Sequence, residues 1–199
     1  MAFGGSDASF GPDLPLAVKI LISGGFGVGK TTMVGAVSEV TPLRTEELIT
    51  QESLGIDDLT GVEGKTTTTV ALDFGRITLD RGLVLYLFGT PGQDRFWFMW
   101  DELALGALGA IVLADPRRLA DAFPAVDYFE LRGLPFVVAV NCFDGVCEFG
   151  VDEVADALDL DPHVPVVMCD ARVRDSGKLA MTALMEHVLA AHTPAGGAR

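Results

Sequence analysis

Apolar runs alternate with amphipathic stretches through most of the chain, and this alternation predicts a layered α/β fold. The runs that predict strands are residues 17–23, 69–79, 83–88, 107–114, 136–141 and 164–169. The stretches that predict helices are residues 31–40, 116–132, 152–158 and 177–191. Continuous apolar runs are typical of parallel strands that are buried on both faces. We therefore expect a three-layer sandwich, with a six-stranded and mostly parallel sheet between helices on both faces.

The turn Asp80-Arg81-Gly82 separates two of the apolar runs and predicts a hairpin, which makes one strand antiparallel. Residues 1–15 and 193–199 are rich in small and polar residues, so we expect flexible tails around one domain over residues 16–192. Residues 41–65 form a long polar segment, which indicates a mobile switch or an insertion that contacts a partner.

Composition narrows the function classes. The 199 residues include 28 acidic and 14 basic ones, for a formal net charge of −14. That charge repels nucleic acid and anionic lipid, so we expect neither as a direct ligand, and an anionic ligand would need locally concentrated positive charge. Cys142, Cys147 and Cys169 make no even framework, which indicates free thiols in a reducing cytosol. No apolar run approaches the roughly 20 residues that span a bilayer, so we expect a cytoplasmic protein without membrane insertion.

The strongest motif follows the first predicted strand and begins the first predicted helix. Gly24-Gly25-Phe26-Gly27-Val28-Gly29-Lys30-Thr31 matches the phosphate-binding P-loop pattern in full, and Thr32 follows it. Glycines allow backbone N–H groups to surround a phosphate, and a helix start adds partial positive charge. Lys30 is expected to reach the β- and γ-phosphates of a nucleotide, and the Thr31 hydroxyl to ligate Mg²⁺. The alternative is a glycine-rich turn that only closes a strand–helix junction.

Two later strand ends indicate which base is bound. Asn141-Cys142-Phe143-Asp144 resembles the Asn-Lys-x-Asp guanine motif of Ras-like GTPases, in which the Asp accepts hydrogen bonds from guanine. Cys142 stands where that motif has lysine, so the usual cover over the base is absent. Cys169-Asp170-Ala171-Arg172 resembles the Ser-Ala-Lys loop of the same family, with the Ala171 N–H aimed at the guanine O6. The alternative is two ordinary polar turns.

The segment around Gly89-Thr90-Pro91-Gly92-Gln93 resembles the Asp-x-Ala-Gly-Gln switch of Ras. The resemblance implies that the Gly92 N–H contacts the γ-phosphate and that Gln93 orients the attacking water, the role that the glutamine has in Ras. Gly89 replaces the aspartate that holds Mg²⁺ in that family, which predicts weaker metal binding.

Thr69 begins a stretch, Thr69-Val70-Ala71-Leu72-Asp73-Phe74, that resembles the second strand of Rab-like proteins. The resemblance implies that Thr69 closes on Mg²⁺ and the γ-phosphate, and simple strand propensity is the alternative. Arg95 is a candidate for positive charge in the transition state, or a surface ion pair. Residues 96–100 are Phe-Trp-Phe-Met-Trp, so we expect either core packing or a partner surface that depends on the nucleotide.

Together these motifs resemble the Ras superfamily over residues 17–190, and most closely the bacterial gliding-motility polarity GTPases and the actinobacterial conservon GTPases. This resemblance implies a P-loop NTPase fold, GTP or GDP as the bound nucleotide, Mg²⁺ as cofactor and slow, activator-dependent hydrolysis. It also implies a roadblock-type regulator and a sensor-kinase-like membrane protein as partners, with recruitment to the membrane through such a partner. A binding module without hydrolysis and a P-loop ATPase are the alternatives.

Overall fold

The computed structural model describes residues 15–49, 68–80, 82–92 and 98–192. The strands are β1 Leu16–Gly24, β2 Leu43–Ile49, β3 Thr68–Asp80, β4 Leu83–Gly89, β5 Ala107–Ala114, β6 Phe136–Asn141 and β7 Val166–Cys169. The helices are α1 Lys30–Val37, α2 Phe98–Ala104, α3 Phe123–Arg132, α4 Val151–Ala157 and α5 Arg174–His192, and two 3-10 helices span Pro116–Ala122 and Phe143–Gly145. The predicted tails lie outside the described residues, apart from Pro15.

The strands form one sheet in the order β2-β3-β4-β1-β5-β6-β7. β3 is antiparallel to both of its neighbours, while the pairs from β4 through β7 are parallel. The predicted α/β sandwich with one antiparallel strand is therefore confirmed. A seventh strand, β2, adds to the six predicted ones at the edge beside β3, within the segment that the sequence indicated as a switch or insertion.

The core lies on both faces of this sheet because alternate strand residues point to opposite sides. Ile20 and Ile22 of β1 pack on one side with α1 and α5, where Met33 and Leu184 are fully buried. Leu21 packs on the other side in a cluster that includes Trp100, Phe129 and residues of α3 and α4. Every residue of β6 is buried, as its continuous apolar run predicts.

The predicted helix at residues 116–132 is two elements. Asp115 caps a 3-10 helix, because its side chain accepts a hydrogen bond from the Arg117 N–H. The backbone leaves helical geometry at Arg118, with φ −144° and ψ 51°. Helical geometry resumes at Phe123, where α3 begins. A proline lies in the first turn of α3, a position that tolerates the missing N–H.

The expectation that all three cysteines are free thiols was wrong. Cys142 and Cys147 form a disulfide, and among the described cysteines only Cys169 is free. The intervening turn at Phe143–Gly145 brings the two Cα atoms to 5.1 Å, within the range that a disulfide requires. Burial, together with the Asp170 carboxylate, raises the pKa of the Cys169 thiol to about 12, so this thiol is held in its unreactive protonated form. Within the described ranges, no helix combines the length and apolarity needed to cross a bilayer.

Candidate functional site

A cavity of about 300 Å³ opens where β1, β3 and β4 meet the start of α1. Its lining includes seven of the predicted site residues: Phe26, Gly27, Gly29, Lys30, Thr31, Thr32 and Gly92. Gly29 has φ 110°, and a Cβ there would lie 2.8 Å from the Asn141 Nδ2 atom. Only glycine therefore fits at Gly29, because the left-handed backbone and the close approach both exclude a side chain.

Lys30 is the buried cation of this cavity, with 9% of its surface exposed. Its Nζ donates hydrogen bonds to the Gly24 carbonyl at 2.9 Å and the Gly25 carbonyl at 2.7 Å. Burial lowers the pKa of Lys30 to about 8, and the nearby Asp73 carboxylate partly opposes that shift. A buried ammonium gains from additional anionic partners, so the site favours a negatively charged ligand.

Asp73 of β3 is a site residue that the sequence analysis did not assign. It is 7% exposed, and its Oδ2 accepts a hydrogen bond of 2.5 Å from the Thr31 hydroxyl. In the β3–β4 ladder Asp73 lies opposite Gly89, where the Ras-like pattern has aspartate. A Cβ on Gly89 would lie 3.0 Å from the Asp73 Cβ and 3.1 Å from its Oδ2. The carboxylate from β3 therefore lies beside the space that a side chain at position 89 would need.

The loop after β4 is held in place from both sides. Thr90 donates a hydrogen bond to the Ser23 hydroxyl at 2.9 Å, and the Trp100 indole donates to the Pro91 carbonyl at 3.1 Å. These contacts place Gly92 so close to the P-loop that a Cβ on it would lie 2.5 Å from the Lys30 Nζ. Trp100 is thus a core residue, whereas Phe98 is 51% exposed. Phe96, Trp97 and the predicted catalytic residues Gln93 and Arg95 lie outside the described residues.

Asn141 joins the P-loop to the loop that follows β7. It is 3% exposed, its Nδ2 donates to the Val28 carbonyl at 2.9 Å, and its Oδ1 accepts from the Ala171 N–H at 3.0 Å. In this structure the Ala171 N–H is bonded to Asn141, and its contact with a base oxygen stays a prediction. A buried amide needs partners for both of its ends, and Ala171 provides one of them.

Asp170 and Arg172 pair with each other in this loop. The Arg172 Nε and Nη2 donate to the two carboxylate oxygens at 2.9 and 2.8 Å. These hydrogen bonds, with one from the Arg172 N–H, lower the pKa of Asp170 to about 2. The pair fixes the turn after β7 rather than leaving two free charges at its end.

Cys142 is 4% exposed and its sulfur is committed to the disulfide with Cys147. Asp144 lies between these two cysteines, in the 3-10 turn Phe143–Gly145, and its side chain is outside the described part of the structure. Thr69 pairs with Leu48 in the β2–β3 ladder, four positions before Asp73, and its side chain is likewise outside that part. Asp144 and Thr69 therefore remain predicted ligands whose backbone positions alone are known.

Comparison with known proteins identifies a matching family and a sequence relative. The family model described as a conserved hypothetical ATP binding protein matches residues 22–191. The uncharacterized protein MJ1339 of Methanocaldococcus jannaschii is 30% identical over 129 residues, which covers 64% of this chain and 71% of that protein.

Solved structures give the same fold at lower identity. The G domain of the FeoB iron transporter of T. maritima matches with a TM-score of 0.60 at 18% identity, covering 86% of this chain and 99% of that one. The FeoB G-domain of Methanococcus jannaschii matches with a TM-score of 0.56 at 16% identity, covering 87% and 98%. The chain spans 64% of the longer cytosolic domain of T. maritima FeoB, which has a TM-score of 0.61 at 17% identity. The P-loop GTPase fold is shared, and the sequences have diverged widely.

Proposed function

This chain belongs to the family of conserved hypothetical ATP binding proteins and is a P-loop nucleotide-binding protein, and from that premise we propose that its nucleotide is GTP or GDP. We further propose that it binds Mg²⁺ with the nucleotide, hydrolyses GTP slowly and acts as a switch through partners that recognise the GTP form. The observation that carries the proposal is the connection of the Asn141–Asp144 loop to the P-loop through the buried Asn141 amide.

That connection supports guanine recognition for a geometric reason. Asn141 ends β6, and its bond to the Val28 carbonyl links the strand end from which the Asp144 turn follows to the phosphate loop. An aspartate in this position accepts two hydrogen bonds from the N1–H and 2-amino groups of guanine. Adenine lacks that pair of donors, so it would leave the carboxylate unpaired at a cost of roughly 1–3 kcal/mol or more.

The phosphate end of the site fits a magnesium nucleotide. Oxygen is the ligand atom that Mg²⁺ prefers, and the Thr31 hydroxyl and the Asp73 carboxylate each offer oxygen atoms. These two groups are already hydrogen-bonded to each other. We assign these two residues, with Thr69 as a third candidate, as those that would hold the ion. When bound, Mg²⁺ supplies positive charge to the phosphate oxygens. Lys30 adds its own charge from the P-loop, Gly92 presents a backbone N–H, and Gln93 is assigned to orient the attacking water.

Two alternatives keep specific support. ATP is the second candidate nucleotide, because the family description names it and because Cys142 replaces the cationic residue expected over guanine. A switch without hydrolysis is the third candidate, because the catalytic assignment depends on Gln93 and Arg95, which are known only from the sequence. The roadblock-type regulator and the sensor-kinase-like membrane protein are proposed on the sequence resemblance alone.

Calorimetric titration tests the proposal directly. Mg²⁺-GDP and Mg²⁺-ADP are titrated into nucleotide-stripped protein, with wild type beside Asp144→Asn. We expect GDP to bind about tenfold to a hundredfold more tightly than ADP, and the substitution to remove most of that preference. The matched control is Asp152→Asn, which changes an exposed carboxylate at the start of α4. Equal binding of both nucleotides, or an unchanged preference in Asp144→Asn, would sink the guanine assignment and favour ATP.

A further inference from the structure

The loop that follows β5 lies between the two halves of the proposed nucleotide site. β5 is the sheet neighbour of both β1 and β6, and all three strands are parallel. Their carboxyl ends therefore lie at the same end of the sheet, where the P-loop, the β5 loop and the loop Asn141–Asp144, here called the base loop, follow side by side. The β5 loop begins with Asp115-Pro116-Arg117-Arg118, so it brings two arginines to this end.

Arg117 is fixed against the base loop. Asp115 is 3% exposed, and its Oδ1 accepts hydrogen bonds from the Arg117 N–H at 3.0 Å and from its Nε at 2.9 Å. Its Oδ2 accepts from the Arg117 Nη2 at 2.8 Å, which fixes the plane of the guanidinium. These bonds lower the pKa of Asp115, so the carboxylate stays charged. The Arg117 guanidinium lies 4.0 Å from the centre of the Phe143 ring, in a cation–π contact.

Arg118 is directed to the phosphate loop instead. The chain leaves helical geometry at this residue, and the Arg118 Nη2 donates a hydrogen bond to the Phe26 carbonyl at 3.1 Å. The same Nη2 would lie 3.8 Å from a Cβ on Gly27. Its Nε is 3.6 Å from the Asp115 carboxylate and its Nη1 is 3.5 Å from that of Asp121. The buried Asp115 carboxylate therefore holds both guanidinium groups. That of Arg117 contacts the base loop, and that of Arg118 contacts the phosphate loop.

We propose that Arg117 and Arg118, held by Asp115, are positioning residues for nucleotide binding: Arg117 sets the base loop and Arg118 sets the phosphate loop. The inference rests on the proposed function. Cys142 occupies the lysine position of the guanine motif and its sulfur is committed to Cys147, so position 142 supplies no cation, whereas the Arg117 guanidinium lies against Phe143 of the same loop. Asp115 and Asp121 offset the charge of the two arginines, so their proposed role is to hold the loops in place rather than to attract the nucleotide.

Three probes separate the two roles. Mg²⁺-GDP, Mg²⁺-ADP and inorganic tripolyphosphate are titrated calorimetrically into the nucleotide-stripped full chain. Arg117→Gln is expected to weaken GDP about tenfold and to lower the GDP-to-ADP preference, while tripolyphosphate changes less than about twofold. Arg118→Gln is expected to weaken all three probes by a similar factor of about five to ten and to leave the base preference unchanged.

Two further variants show whether geometry or bulk stability is responsible. Arg117→Lys keeps the charge but loses the two-pronged hydrogen bonding and the flat stacking face, so we expect it not to restore the base preference. Arg132→Gln is the matched control, because Arg132 also pairs with an aspartate, Asp101, and lies 4.4 Å from the centre of the Tyr128 ring. Arg132 ends α3 just before β6 starts, at the end of the sheet opposite the nucleotide site. All three affinities should therefore be unchanged.

The outcomes decide between the claims. If wild type binds GDP but neither glutamine variant changes any affinity, the arginine assignment is overturned. It is also overturned if both variants lower all three affinities together with the thermal unfolding midpoint, because that pattern indicates lost stability alone. If wild type prefers ADP, the guanine proposal fails. The arginine assignment is then decided by whether Arg117→Gln weakens the nucleotide more than tripolyphosphate and Arg118→Gln weakens both by a similar factor. A wild-type chain that binds no nucleotide refutes both.

Discussion

Replacing Asp73 with asparagine tests whether β3 supplies the carboxylate that position 89 lacks. The substitution keeps the size and shape of the side chain and removes only the charge that faces the Thr31 hydroxyl at 2.5 Å. A buried hydrogen bond with a charged group contributes roughly 1.5–3 kcal/mol, and each 1.4 kcal/mol is a factor of ten in affinity. We therefore expect Asp73→Asn to weaken Mg²⁺ binding to the GDP complex by about tenfold to a hundredfold.

The assay is the Mg²⁺ dependence of GDP dissociation, measured with a fluorescent GDP analogue over a range of free Mg²⁺. In excess EDTA the variant should hold GDP as well as wild type or better, because a negative charge near the phosphates has been removed. Asp127→Asn, an exposed change on α3, serves as the control. If the Mg²⁺ midpoint of Asp73→Asn stays within twofold of wild type, Asp73 is not a metal ligand and the reasoning is refuted.

A swapped pair of substitutions tests the same idea in the other direction. Gly89→Asp alone places its Cβ 3.0 Å from that of Asp73 and sets two carboxylates side by side, so it should destabilise the fold. Adding Asp73→Gly removes both problems and returns the carboxylate to β4. Gly89 is not one of the described glycines with positive φ, so aspartate fits its backbone. We expect the double variant to recover Mg²⁺ binding to within about tenfold of wild type, and no recovery would show that the two positions are not equivalent.

Three further predictions concern the same loops. Because burial lowers the pKa of Lys30 from 10.5 to about 8, the unfolded chain binds a proton between these pH values that the folded chain has released, so stability should rise by about 3 kcal/mol across that window. Urea unfolding of nucleotide-stripped protein checks this against Lys30→Met, which should lack the rise. Gly92→Ala forces the Lys30 Nζ away and crowds Gly25 at 3.1 Å, so the free energy of unfolding should fall by about 1–3 kcal/mol, and an unchanged value would contradict the packing argument. A dithiol reductant that opens the Cys142–Cys147 disulfide should weaken GDP binding in wild type but not further in Cys147→Ser. An equal response of the two proteins would show that the disulfide does not act on the base loop.

The sheet was predictable because each of its six expected strands has a clear local pattern. β6 illustrates this, since five consecutive apolar residues lead to Asn141 and all six residues are buried. β2 was not predictable in the same way, because its sequence, Leu-Arg-Thr-Glu-Glu-Leu-Ile, carries three charges and lies in a polar segment. Its strand conformation depends on pairing with β3 along the sheet edge, which is a tertiary interaction that local composition does not encode.

The phosphate loop was likewise predictable, because the pattern demands glycines, lysine and threonine at set positions. The arginines of the β5 loop were not, because nothing in Asp115-Pro116-Arg117-Arg118 specifies that one side chain reaches Phe143 and the other reaches Phe26. The disulfide was missed for a related reason. Cys142 and Cys147 are five residues apart, and only the turn between them brings their Cα atoms within reach.

Asp73 shows most clearly where sequence reasoning ends. Counting back from the pair Asp80 and Leu83 with a regular ladder would set Asp73 opposite Thr90, but the register shifts between Thr78 and Asp80, and Asp73 faces Gly89 instead. A shift of one residue in a strand moves a side chain to the other face, so this irregularity decides whether the carboxylate points toward Thr31 or away from it. The missing aspartate at position 89 therefore does not by itself predict a weak metal site. A carboxylate can reach the same point from a neighbouring strand, provided that the facing residue is a glycine.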